Sequence, residues 1–134
     1  MGTGDFYQVL DTMPAVADSV VIDTTALDSP ASELVLIVAP AVGYTLDEPD
    51  AQANIVAMLR SQLSPRHVPD LIVVVRSLPH TLNGKRLEVP IRRLFLGADP
   101  GSVVDLSAID DPDSLREVAT AAAQWRASRL AASA

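Results

Sequence analysis

Three aliphatic runs constrain this chain more than any other feature: Ser19 to Thr24 (SVVIDT), Glu33 to Ala39 (ELVLIVA) and Leu71 to Val75 (LIVVV). Each is dominated by β-branched and aliphatic residues and is too short for a buried helix, so each predicts a strand. The Ala26 to Ser32 stretch between the first two contains Asp28, Ser29 and Pro30, a loop composition that makes them antiparallel neighbours. Between the second and third lies a helix signal. Asp47, Glu48 and Pro49 set acids and a proline at its start, and Ala51, Ile55, Met58, Leu59 and Leu63 share one face. It stops near Ser64-Pro65. A strand, a helix and a strand predict a right-handed crossover, so the third strand is expected parallel to its predecessor. LIVVV lacks any polar alternation, which predicts a central place in the sheet.

Helices fill the remainder. Thr3 can cap a short amphipathic helix carrying Phe6, Val9, Leu10 and Met13, with Pro14 ending it. Leu82-Asn83-Gly84-Lys85 is a tight, exposed turn, because Asn and Gly both tolerate positive φ. Glu88 and Pro90 begin a helix with Ile91, Leu94 and Phe95 inward and Arg92 and Arg93 outward, closed by Gly97. The core is expected to end there. Ala98 to Asp113 reads as an acidic loop, followed by a terminal helix marked by Leu115, Val118, Ala119, Ala122 and Trp125, which either packs back or frays. The expected fold class is α/β (α+β): a small mixed sheet of about three strands covered by helices, with a C-terminal helical extension. Residues 1–97 form the expected domain and 98–134 the appended loop and helix.

The net charge of −7 over 134 residues conceals an asymmetry. Met1 to Leu59 holds nine acids and no Lys or Arg, Arg60 to Gly97 holds seven basic residues against two acids, and the rest holds three against six. Cations gathered in one segment of an acidic chain suit either a local anion site or a solvated helix face. Nucleic acid is a poor partner, since the remaining surface repels its backbone. The longest apolar run, Leu34 to Val42, is broken by Pro40 and is far short of the ~18 residues a membrane span needs. The first twenty residues carry Asp5, Asp11 and Asp18 without a basic residue, so a cytoplasmic location is expected rather than a secretory or mitochondrial one. The absence of cysteine excludes thiolate chemistry and disulfides.

Most catalytic patterns fail on inspection. Gly84-Lys85 is not a phosphate-binding P-loop, because Pro79 stands where the first Gly belongs and Arg86 where the Ser or Thr belongs. His67 and His80 have no second His or carboxylate at ligand spacing, so no metal is assigned. No Ser sits in a nucleophile elbow. Asp47, Glu48 and Asp50 are explained as helix-start residues. Lys85 remains, and alone it is open to two readings, a solubilising tip or a functional cation.

The run SLPHTLNGKRLEVPIRRLFLG, Ser77 to Gly97, resembles the carboxy-terminal lysine motif of the superfamily containing acyl- and aryl-CoA synthetases, peptide-synthetase adenylation domains and luciferases. The general form is Leu-Pro-x-Thr-x-x-Gly-Lys, and Leu78, Pro79, Thr81, Gly84 and Lys85 match it. The opening MGTGDFYQVL is similar to the segment after that superfamily's interdomain hinge. Gly2 and Thr3 match, whereas Gly4, Asp5 and Tyr7 depart from it. SPRHVPD (Ser64 to Asp70), the Leu-Glu-Val-Pro after the lysine and the following Gly-Ala-Asp-Pro resemble the acetoacetate:CoA ligase branch.

The resemblance implies the C-terminal lid domain of a two-domain adenylate-forming ligase, with Met1 an internal residue and the isolated domain inactive. The N-terminal domain of the same chain would hold the ATP phosphate loop, the magnesium site and the carboxylate pocket. Lys85, beside Gly84, would act in adenylation. After a rotation, the Gly2-Thr3 face would help form the tunnel for CoA, and Arg60 would contact CoA phosphates. Acylation of Lys85 by a protein acetyltransferase, reversed by a deacetylase, would be an off-switch. A propionyl- or other short-chain acyl-CoA synthetase, or a free-standing binding or regulatory module, are the alternative readings.

Overall fold

The computed structural model describes residues 3–24 and 33–133, with side chains described through residue 128. Its elements are α1 (Thr3–Leu10), β1 (Val16–Asp23), β2 (Leu34–Pro40), α2 (Pro49–Gln62), β3 (Leu71–Val74), α3 (Glu88–Phe95), α4 (Pro100–Val103) and α5 (Pro112–Ser133). Short 3₁₀ turns occupy Pro65–His67 and Leu106–Ala108. β1 pairs antiparallel with β2, and β2 pairs parallel with β3. The expected loop at Ala26 to Ser32 lies outside the described residues.

Strand alternation sends side chains to two cores. Val20, Ile22, Val35 and Ile37 face Ile91, Leu94 and Phe95 of α3 and Leu115, Val118 and Ala122 of α5. Val21, Leu36 and Val38 face Phe6 and Leu10 of α1 and Ile55 and Leu59 of α2. The domain is therefore a sheet between two helical layers.

Five expectations need correction. β2, not β3, is central, since the strand order is β1-β2-β3. Leu71–Val74 is nonetheless uniformly apolar because both its faces are covered: Leu71 and Val73 pack on the α3/α5 core, and Ile72 and Val74 on the α1/α2 core. Next, β1 starts at Val16 rather than Ser19, with a register irregularity between Val16 and Asp18 that the small and acidic residues there do not advertise.

The other three concern the second half of the chain. The core does not end at Gly97. Val103, Ile109, Leu115, Val118 and Ala122 are buried in the same cluster as Phe95. Nor is 98–113 merely a loop, since α4 and a 3₁₀ turn lie within it. Finally, Asn83 does not take a positive φ: among the described residues only Gly43, Gly84 and Gly97 do.

Local signals explain the ends of the elements. α3 closes in a Schellman motif, in which Ala98 N–H donates to Arg93 C=O at 2.9 Å and Gly97 N–H to Leu94 C=O at 3.1 Å. Gly97 supplies the φ of +110° that this ending requires. α5 is capped by Asp111, whose Oδ1 accepts from Ser114 N–H at 3.2 Å, with Pro112 at the first helical position. It then lies along α3. The Phe95 and Trp125 rings are 5.5 Å apart, and Arg126 donates to Leu94 C=O at 2.9 Å.

Being the first strand in the order, β1 has an open outer edge, and side chains occupy it. Val21 N–H donates to Tyr7 Oη at 3.0 Å, Arg86 Nε donates to Ser19 C=O at 2.8 Å, and Arg92 Nε to Asp23 C=O at 2.8 Å. Residues 19, 21 and 23 point their backbone groups the same way, so one rank of edge positions is satisfied by three other elements. Arg92 is thus committed to β1 rather than simply solvated.

Candidate functional site, the lysine hairpin

The loop carrying Lys85 is built outward from the core. Leu78 and Pro79 are buried, Leu78 within the α3/α5 core, and Leu87 is buried on the return side. Between them the chain emerges as a hairpin whose base is the bridge His80↔Arg86. Thr81 N–H donates to Lys85 C=O at 2.9 Å, and Gly84 N–H donates to Thr81 C=O at 2.8 Å. Leu82 and Asn83 keep negative φ and Gly84 follows at +85°, which is the three-residue hairpin with a glycine bulge rather than the expected Asn-Gly turn. A β-carbon at Gly84 would meet nothing within 4 Å, so only its φ demands glycine. Thr81 Oγ1 accepts from Lys85 N–H at 3.0 Å and donates to Asn83 Oδ1 at 2.6 Å, knotting the tip.

The motif therefore has a physical reading. Leu78 and Pro79 root the loop, Thr81 and Gly84 shape it, and Lys85 is left exposed. Among the described residues none accepts from or pairs with Lys85 Nζ. It is the only lysine in the sequence, a fact that points to it independently of the motif.

The extension braces the hairpin. Leu82 N–H donates to Ala108 C=O at 3.3 Å, Asp110 N–H to His80 C=O at 3.0 Å, and Thr81 bridges Ile109. His80 lies between two acids, its Nε2 2.7 Å from Asp18 Oδ2 and its Nδ1 3.4 Å from Asp110 Oδ2. Burial pushes the Asp18 carboxyl above its usual range, opposed first by the charge of His80. Arg86 donates to Asp11 at 2.9 Å and stacks 3.9 Å over the Tyr7 ring. Sequence reasoning missed this convergence, because Asp18 and His80 are far apart in the chain with no periodic link.

The other candidates sit elsewhere. Arg60 is exposed in the last turn of α2, and Thr3 begins α1 in the same helical layer. The hairpin is rooted in the opposite layer, so the structure does not bring Lys85 and Arg60 together around one core. Gly2 lies outside the described residues. Arg93 is exposed on α3. His67 is half-buried against Phe6, with Nδ1 2.7 Å from Ser64 Oγ at the cap of the Pro65–His67 turn. Among the described residues no group of three or more His, Cys, Asp or Glu could hold a metal ion.

The described residues thus form a small layered domain that presents a lysine amine on a braced, outward hairpin. The chain belongs to the AMP-binding enzyme C-terminal domain family, whose model matches residues 8–85. It is 35% identical over 115 residues to acetoacetyl-CoA synthetase of Caenorhabditis elegans, covering 86% of this chain and 16% of that protein. It is 32% identical to the mouse acetoacetyl-CoA synthetase over 114 residues, covering 85% and 16%. Acetoacetyl-CoA synthetase from Streptomyces lividans superimposes with a TM-score of 0.81 at 35% identity, covering 92% of this chain and 18% of that one. The chain thus spans about one sixth of the length of these relatives.

Proposed function

We propose that this chain is the lysine-bearing lid of an acetoacetate:CoA ligase acting in the cytoplasm, and that it works with an N-terminal adenylation domain of the same polypeptide. The observation that carries this reading is the Lys85 amine, exposed at the tip of a hairpin rooted in the core and paired with no described residue. When a carboxylate attacks the α-phosphate of ATP, two anions must meet while charge grows on the phosphoryl oxygens. An ammonium on a flexible stem, with three donors, lowers that barrier when it is brought between them. An exposed tip can enter such a site and withdraw.

The same domain serves the second half-reaction through another surface, the α1/α2 layer carrying Thr3 and Arg60, with Gly2 preceding it. There Arg60 contacts the CoA phosphates and the Gly2-Thr3 segment lines the path of the thiol. The magnesium ion is assigned in this reading to the N-terminal domain, as the resemblance implies. Separate layers for the two candidate surfaces fit a lid that turns between steps. Because it carries the sole lysine amine, the hairpin is also the place where an acetyltransferase would silence adenylation and a deacetylase restore it. The chain alone is expected to be inactive.

The test is Lys85→Ala in the complete ligase. Acetoacetate-dependent ATP–pyrophosphate exchange should fall by about a hundredfold or more, while thioester formation from preformed acetoacetyl-adenylate stays within about threefold. Equal loss of both steps would contradict the division of labour. Equal exchange with propionate would favour the short-chain acyl-CoA synthetase reading.

A further inference from the structure

The direction of Lys85 is set by its backbone, because nothing among the described residues holds its amine. The cross-strand pair at the hairpin base ties that backbone beside the Thr81 knot and the contacts to Ala108 and Ile109. Arg86 holds the return strand: its guanidinium donates to Ser19 C=O and Asp11, stacks over the Tyr7 ring, and lies 4.0 Å from Asp18. His80 holds the outgoing strand, and its hold is conditional. A carboxylate only accepts hydrogen bonds, so a ring with an acid at each nitrogen can donate to both only when both nitrogens carry protons. A neutral imidazole keeps one contact and turns a lone pair toward the other acid.

The charged groups facing His80 come from three elements: Asp18 from β1, Asp110 from the segment after the Leu106–Ala108 turn, and Arg86 from the return strand, with Asp11 beyond it. Asp110 also ties the His80 backbone, its Oδ1 accepting the His80 N–H at 2.8 Å and its own N–H donating to His80 C=O at 3.0 Å, so the contact that depends on the ring is the one to Oδ2 at 3.4 Å. The ring is 24% exposed, which leaves it open to protons while its neighbours remain close.

We propose that His80 is a positioning residue for Lys85, clamping the hairpin between β1 and the C-terminal extension in its imidazolium form and releasing one side when it loses a proton. The inference rests on the reading of Lys85 given above. Its consequence is that adenylation, and not thioester formation, depends on the protonation of a residue that touches neither substrate. Burial of Asp18, offset first by the charge of His80, fits a pair that needs that charge.

The experiment measures both half-reactions in the complete ligase from about pH 5.5 to about pH 8. Wild type, His80→Gln, Asp110→Asn and Lys85→Ala are compared. His80→Gln should lower adenylation kcat about tenfold to a hundredfold, leave the KM for ATP within about twofold, and flatten the dependence of adenylation on pH. Thioester formation should stay within about twofold of wild type in the same variant. Unchanged adenylation with the wild-type pH profile overturns the proposal, and so does equal loss of both half-reactions, which would make His80 a residue of the fold alone. If His80→Gln does not fold, the exposed and isosteric Asp110→Asn carries the test. The same split between half-reactions supports the clamp, and equal loss or none overturns it. Should Lys85→Ala spare adenylation, the reading of the lysine fails and the clamp with it. Should Lys85→Ala abolish adenylation while His80→Gln matches wild type, only the clamp fails.

Discussion

Tyr7 shows how one side chain can serve several elements. Its hydroxyl accepts Val21 N–H at the sheet edge, its ring carries the Arg86 guanidinium, and burial drives its ionisation well above the ordinary value of 10.0. Because the folded phenol resists ionisation more than the unfolded one, its contribution is complete below pH 10.0 and is lost as pH climbs beyond it. Tyr7→Phe should therefore lower stability by about 1–3 kcal/mol at neutral pH, by orphaning a buried N–H, and should flatten the alkaline decline. Denaturant midpoints measured either side of pH 10 check this, and a decline as steep in the variant as in wild type would refute it. Tyr7 is also a departure from the superfamily's usual segment, which is why the resemblance gave no hint of its task.

Among the elements, α3 and α5 form the pairing with the clearest mechanical role. Trp125 meets Phe95 and donates from Nε1 to Glu33 Oε2 at 3.1 Å, so it joins the terminal helix to the start of β2. Trp125→Ala should cost about 2–4 kcal/mol, combining ring contact, lost area and one hydrogen bond. Urea denaturation reads the loss, and a change below about 0.5 kcal/mol would show the helix to be a bystander. Elements with local signals were legible in advance. Pro49 and the acids beside it opened α2, Gly97 closed α3, and the spacing of Leu115, Val118, Ala122 and Trp125 traced α5. The placement of β3 was not legible, because an apolar strand reports that both faces are covered and not how many strands flank it. The exposed hairpin that carries Lys85 was legible, and Thr81 and Gly84 shape its turn. The meeting of Asp18, His80, Arg86 and Asp110 at its base was not, since they come together only when the sheet and the extension have folded.

At the scale of the molecule, the segment after Gly97 shares the core instead of trailing from it. Val103, Ile109, Leu115 and Val118 are buried, and at about 1.5–3 kcal/mol each their burial is of the order of a domain's whole stability. We propose that residues 1–97 and 98–134 are one cooperative unit. A chain ending at Gly97 should show no cooperative melt and should bind hydrophobic dyes through the uncovered Ile91, Leu94 and Phe95. A sharp thermal transition in that shortened chain would restore the two-part division. The edge of β1 bears on the whole molecule in another way. In the proposed lid, which undocks and turns between steps, an uncovered β1 edge would present a row of amides and carbonyls to passing polypeptides. With a tyrosine and two arginines standing in that row, the module can be handled in the open without recruiting a foreign strand.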